Sequence, residues 1–243
     1  MKKQLLAIAA IAFVAGAVIM TSCKKEDTTA PTITLTGGAS MSQSLPSTAG
    51  SGSFTDPGFT AEDDEDGNVS ANVTVTIKDA GQVTRTATEM ANRKGSYVIT
   101  YTVSDKAGNQ GSVTRTVDIQ NDAEYLVGSY SAASVDSCTT GGVGYWNMTT
   151  DIPDVFSSDT VNNLIKINNF GIFGESINIW MNVSGTNLTP TTTNQSLGGS
   201  AYIQNVYVSP ATTIYSTGPV KFKIKYQWTD GTNSDVCTTH YIK

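Results

Sequence analysis

The sequence predicts an all-β protein: an antiparallel sandwich over residues 31–120, then an up-and-down antiparallel β-barrel or sandwich over 122–243. Three observations lead there. First, 35 threonines, 24 serines and 22 glycines dominate the 243 residues; Thr fits a pleated, half-buried surface, and Gly and Ser serve turns. Second, apolar residues recur at period two in short runs, and no stretch sustains a helical period. Third, Gly, Asp and Asn clusters separate the runs. The length allows one or two cores. The net charge of −6 excludes a nucleic-acid partner, which needs clustered Lys and Arg to displace counterions. A single histidine argues against most metalloenzymes and against a His-based triad.

The first element is a leader. Residues 1–22 read as a secretory signal peptide: Lys2 and Lys3 supply positive charge, and Leu5 to Met20 is apolar apart from Gly16. That run is shorter than the ~20 residues of a membrane span. Met20-Thr21-Ser22-Cys23 resembles a bacterial lipobox, with Met where Leu is usual. The resemblance implies a membrane partner reached through acyl chains on Cys23, and residues 23–30 then form the acylated Cys and a charged tether. Cys23-Lys24-Lys25-Glu26-Asp27 resembles the export signal of Bacteroidota lipoproteins. It implies a lipid-anchored, surface-exposed place on the outer membrane. Asp27-Thr28-Thr29 and Asp159-Thr160-Val161 resemble O-glycosylation triplets of Bacteroides-type bacteria.

The three cysteines fit export. With Cys23 acylated, Cys138 and Cys237 remain, either as a disulfide that an oxidising compartment permits or as two separate buried thiols. A bridge would close about 100 residues, for which chain entropy gives ~4–5 kcal/mol.

From Pro31 the strands begin. Thr32–Thr36 alternates apolar and hydroxyl residues. Val73, Val75 and Ile77 form an inward row, as do Tyr97, Ile99, Tyr101 and Val103, and then Val113, Arg115, Val117 and Ile119. Turns fall at Asp66-Gly67-Asn68, Asp79-Ala80-Gly81 and Lys106-Ala107-Gly108-Asn109. Pro31–Leu35, Phe54–Ala61, Asp63–Val69, Gly95–Asn109 and Val113–Val117 together resemble the immunoglobulin-like module of bacterial surface proteins, in order and spacing. The resemblance implies a non-catalytic spacer or adhesion module. Gly37–Ser53 exceeds that pattern and reads as a flexible insertion. The acidic run 62–66 offers oxygens for calcium, with Asp64, Asp66 and Asp105 as candidate ligands. The spacing does not fit an EF-hand, because Val73 stands where the bidentate Glu belongs. A solvated polar turn, with Gly67 at positive φ, accounts for the same residues.

Beyond Asn121-Asp122 the strands are expected at 127–136, 143–150, 163–170, 176–185, 188–196, 201–209, 212–216, 219–229 and 234–243. A meander of hairpins closes to hide its edges. Closure brings the first and last strands together, and with them Cys138 and Cys237. Lys166–Gly171 and the ending from Cys237 to Lys243 resemble the lipocalin-like C-terminal domains of Bacteroidota lipoproteins. That implies a fold more than a function.

In 220–228, Val220, Phe222, Ile224, Tyr226 and Trp228 share a face opposite Lys221, Lys223 and Lys225. In 177–183 the apolar row is Ile177, Ile179, Met181 and Val183, and Trp180 lies opposite between Asn178 and Asn182. A ring between amides suits a sugar, whose apolar face stacks while its hydroxyls take hydrogen bonds; a covered second face is the alternative. Tyr145 and Trp146 follow the Gly141–Gly144 loop and border the same mouth. That loop lacks the Lys-Ser/Thr of a phosphate loop, and no cofactor is expected. The carboxylate pairs Asp151/Asp154 and Asp230/Asp235 sit in turn-like contexts, and His240 has no nucleophile motif beside it. The reading is therefore a non-enzymatic surface lipoprotein whose C-terminal domain binds a glycan, another extracellular polymer or an outer-membrane partner. The alternatives are a lipocalin-like carrier of a small apolar ligand and an adhesion protein.

Overall fold

The computed structural model describes residues 26–132, 137–139, 154–168, 178–191, 195–196, 202–208, 221–229 and 234–243. The leader, Cys23, Tyr145, Trp146 and the strands expected at 143–150 and 212–216 lie outside them. The described residues are nearly all β. In the N-terminal half, a three-stranded sheet runs β1 (Thr32–Leu35), β3 (Phe59–Asp63), β4 (Gly67–Asn68). A five-stranded sheet runs β2 (Ser40–Ser44), β8 (Gln110–Gln120), β7 (Gly95–Ser104), β5 (Thr74–Asp79), β6 (Thr84–Arg85). The short helix α1 (Ala87–Ala91) starts at a reciprocal capping box between Thr86 and Glu89.

The chain divides into two compact units: residues up to Thr34 with Phe59–Thr74 and Thr102–Val113, and Leu35–Gly58 with Val75–Tyr101 and Thr114–Lys243. The first has a small core of Ala61, Val69 and Val103, flanked by Ile33 and Val73. The Ser70 hydroxyl accepts from Ala61 N at 2.8 Å, and Gly67 takes the expected positive φ of 70°. Gly111 is fixed by a close approach: a Cβ there would stand 2.0 Å from the Pro31 carbonyl oxygen.

In the second unit the alternation of β7 and β8 buries Tyr97, Ile99, Tyr101, Arg115, Val117 and Ile119. Val75, expected inward, is 45% exposed. Gly37–Ser53 is not a loose insertion. Its Ser40–Ser44 pairs in parallel with Thr116–Gln120 as an edge strand, and Leu45 is buried. Asn92 then clamps Gly52, accepting from its N–H at 2.7 Å and donating to its carbonyl at 3.0 Å. Backbone pairing does this work, so the Ser-rich side chains carry little apolar signal.

Arg115 is the largest fully buried side chain among the described residues. Its guanidinium donates to Asp56 Oδ1 at 2.7 Å, Thr36 O at 2.6 Å and Gly58 O at 3.2 Å, and lies 5.8 Å from the Tyr101 ring centroid. The Tyr101 hydroxyl donates to Asp56 Oδ2 at 2.5 Å. Burial first, then the neighbouring Asp56 carboxylate, pushes the Tyr101 phenol far above its ordinary value.

The C-terminal half is a two-layer sandwich. One sheet runs β15 (Asn187–Pro190), β14 (Ile179–Ser184), β13 (Leu164–Ile167), β12 (Asp154–Ser157), β9 (Gly128–Ser129). The other runs β10 (Ser131–Ala132), β19 (Ser234–Ile242), β18 (Lys221–Thr229), β17 (Tyr202–Val208), β16 (Gln195–Ser196), with β11 (Ser137–Thr139) also on β19. One core joins them: Val155, Ile165, Ile167, Ile179, Met181, Val183 and Leu188 from the first sheet, Phe222, Ile224, Cys237 and Tyr241 from the second, and Leu126 and Tyr130 from the segment leading in. Phe222 and Tyr241 stack with centroids 4.6 Å apart, and Tyr130 meets Phe222 edge-on at 5.0 Å. Of the two expected architectures, barrel or sandwich, the sandwich is the one formed; the described strands make no closed barrel, and side chains fill the space between the sheets. The expected adjacency of first and last strands holds, since Ser131 pairs with Ile242 and Cys138 with Cys237.

The two halves meet at Asn121, which is buried. Its Nδ2 donates to the carbonyls of Ser158, Val161 and Leu164 at 3.0–3.1 Å, and its Oδ1 accepts from Ala123 N at 3.0 Å and Asn163 N at 2.9 Å. Every hydrogen-bonding position of the amide is used. Beside it, Asp122 bonds Ser44 and Asn162, and Lys94 donates to Ser157 Oγ at 2.7 Å and Glu124 Oε2 at 3.2 Å. Burial raises the Glu124 carboxyl, but hydrogen bonds from Ser157 and Lys94 outweigh it and hold the group below its usual value.

Candidate functional site

Alternation along β12, β13 and β14 sends one set of side chains into the core and the other outward. Val155, Ile165, Ile167, Ile179, Met181 and Val183 go in. The register then sets Phe156 opposite Lys166 and Lys166 opposite Trp180. The outward face therefore carries a row running ring, cation, ring across three strands. Lys166 Nζ lies 5.6 Å from the Phe156 ring centroid and 6.0 Å from that of Trp180, within the range of cation–π attraction. Phe156 is 44% exposed, and Trp180 and Lys166 are half-buried.

Asn182 is exposed on the same face of β14 as Trp180, and Asn178, just before the strand, is half-buried. Leu164 stands opposite Asn182, which stands opposite Thr189. The Trp180 carbonyl accepts from Thr191 N at 2.9 Å and from its hydroxyl at 3.2 Å, which ties the following edge to the strand. The surface thus combines two ring faces, a cation and amide and hydroxyl groups. Such a set can stack a pyranose ring and hydrogen-bond its hydroxyls.

Trp180 and Asn182 lie on the outward face of β14, and Asn178 immediately precedes the strand. Phe156 and Lys166 were missing from the site expected from sequence. Asp154 opens β12 and accepts from Ser129 Oγ at 2.6 Å, so it belongs to strand pairing. Asp151, the other carboxylate of that turn-like pair, lies outside the described residues.

The expected calcium trio does not converge. Asp66 accepts from Lys106 N at 2.7 Å and from Lys106 Nζ at 2.8 Å, and these bonds hold its carboxyl below the usual value. Asp105 accepts from Gly108 N at 2.6 Å, Asn109 N at 2.8 Å and Asn109 Nδ2 at 2.7 Å, which shapes its own turn. Both carboxylates are occupied with protein donors, whereas Asp64 meets only the distant Thr29 hydroxyl, at 3.5 Å, among the described residues. Cys237 is disulfide-bonded and stands opposite Cys138 in the ladder.

Residues 33–119 match the family model for the Ig-like domain of bacterial surface proteins. No curated protein matches the chain in sequence. Among solved structures, the chain is similar to a lipoprotein from Bacteroides thetaiotaomicron at 14% identity and a TM-score of 0.37, over 87% of this chain and 99% of that one. It is also similar to a structure of CBM51-2 in complex with GlcNAc and INT domains from Clostridium perfringens ZmpB, at 15% identity and a TM-score of 0.27. That likeness covers 88% of this chain and 44% of the other.

Proposed function

We propose that this chain is a non-enzymatic surface protein, held to the outer membrane through an acylated Cys23, whose C-terminal sandwich binds a glycan on its Phe156–Lys166–Trp180 face. The Ig-like match over 33–119 supports a surface protein, and the lipobox-like residues before Cys23 support the anchor. The observation that carries the glycan reading is the cross-strand row itself. Two aromatic rings are left on a sheet face that could have been polar throughout, and a cation lies between them, 5.6 and 6.0 Å from their centroids.

A glycan array probed with the full chain, beside Trp180→Ala and Phe156→Ala, tests this. The wild type retains a defined set of sugars, and each substitution weakens retention about tenfold or more, in line with the loss of ~1.5 kcal/mol of ring contact. The thermal midpoint stays put, because both rings are outside the core. Blank profiles for the wild type, or identical profiles for all three proteins, overturn the reading. In the same proposal Cys138 is the partner of the Cys237 disulfide.

A further inference from the structure

We propose that Asp27, Asp63 and Asp64 form a binding site for a divalent cation of the calcium class, fastening the end of the N-terminal tether to the Ig-like sheet. This goes beyond the glycan reading and stands apart from it. Carboxylate oxygens of the three residues lie within 4.8 Å of one another, close enough to share one cation at the 2.3–2.6 Å typical of calcium–oxygen bonds.

Clustered carboxylates are common on surfaces, so a second observation matters. Asp63 is only 7% exposed. Its Oδ1 accepts from Glu65 N at 3.1 Å and Asp66 N at 2.8 Å, but its Oδ2 is fully buried with no hydrogen-bond partner. A desolvated carboxylate oxygen without a donor is costly. Two further carboxylates beside it raise that cost when no cation is bound. Lys106 is near enough for its charge to act on Asp63, but its ammonium is paired with Asp66 at 2.8 Å and makes no ion pair with Asp27, Asp63 or Asp64 among the described residues.

The other two ligands are held in place independently. Asp27 Oδ1 accepts from Thr29 N at 3.0 Å, and the Asp27 carbonyl accepts from Asn109 Nδ2 at 3.1 Å. The Thr29 hydroxyl approaches Asp64 Oδ2 at 3.5 Å. Three hard oxygen donors from two separated segments suit calcium, with water filling the remaining positions. A ligand from the tether and two from the β3–β4 turn make the cation a clasp.

The test is thermal unfolding and equilibrium dialysis of the full chain in about 10 mM calcium against EDTA. For an affinity in the range of extracellular modules, ~10⁻⁴–10⁻³ M, calcium raises the unfolding midpoint by about 3–8 °C, and about one ion is retained per chain. Asp27→Asn and Asp64→Asn abolish both effects, whereas Asp66→Asn keeps them. Asp63→Asn is a poorer probe, because Asp63 also shapes the turn. Equal midpoints in calcium and EDTA with no retained ion, or a shift surviving in both Asp27→Asn and Asp64→Asn, overturn the proposal. Neither outcome bears on the sugar array.

Discussion

Arg115 occupies an inward position in a strand otherwise filled by Val and Ile, where its charge is withdrawn from water. The site is tolerable because Asp56 and two backbone carbonyls meet the guanidinium. Removing one partner of such a pair strands the other, at about 3–5 kcal/mol. Arg115→Met is expected at the low end, since Asp56 keeps 29% side-chain exposure and can be rehydrated. Urea denaturation checks this, with Asp56→Asn as the companion. Period two placed Arg115 inward from sequence. Its partner was illegible, because Asp56 lies 59 residues away in a stretch without regular structure.

Between elements, the joint around Asn121 couples the last strand of the Ig-like half to the loop entering β13. Glu124 gives it a pH dependence. Its folded-state value lies below the ordinary 4.5, so its contribution is complete above about pH 4.5 and fades as the pH falls through the lower folded value. Glu124→Gln is therefore expected to lose less stability than the wild type between pH 6 and pH 3, read from urea midpoints at both. Strands with an apolar row of three or more, β7, β8 and β14, were visible in the sequence. The strands β2 and β12 were not: Ser-Met-Ser-Gln-Ser and Asp-Val-Phe-Ser offer no face more than a single apolar residue. Missing β12 hid the aromatic row too, because Phe156 meets Trp180 only through the register of two strand pairs.

For the whole molecule, composition and turn spacing were enough to fix the all-β class. They could not separate barrel from sandwich, which differ in whether Tyr130 lies within one sheet or at a crossing between two. Here β9 joins one layer and β10 the other. The Cys237 disulfide sits in the last strand, and its loss is expected to cost about 2–4 kcal/mol. Alkylating the native chain should label neither Cys138 nor Cys237, and reduction before alkylation should add two labels by intact mass; labelling of Cys138 without reduction rejects the pairing.

The position of β19 has a temporal consequence. It lies between β10 and β18 and also holds β11, so residues near 131 wait for residues near 242 before their backbone groups are paired. The Ig-like half can complete its sheets once residue 120 has emerged, when Ser40–Ser44 finds Thr116–Gln120. The C-terminal half has no finished seam until its last strand arrives, and long-range pairings of this kind form slowly. A chain threaded through a secretion channel would thus keep this half slack and passable until nearly all of it has crossed.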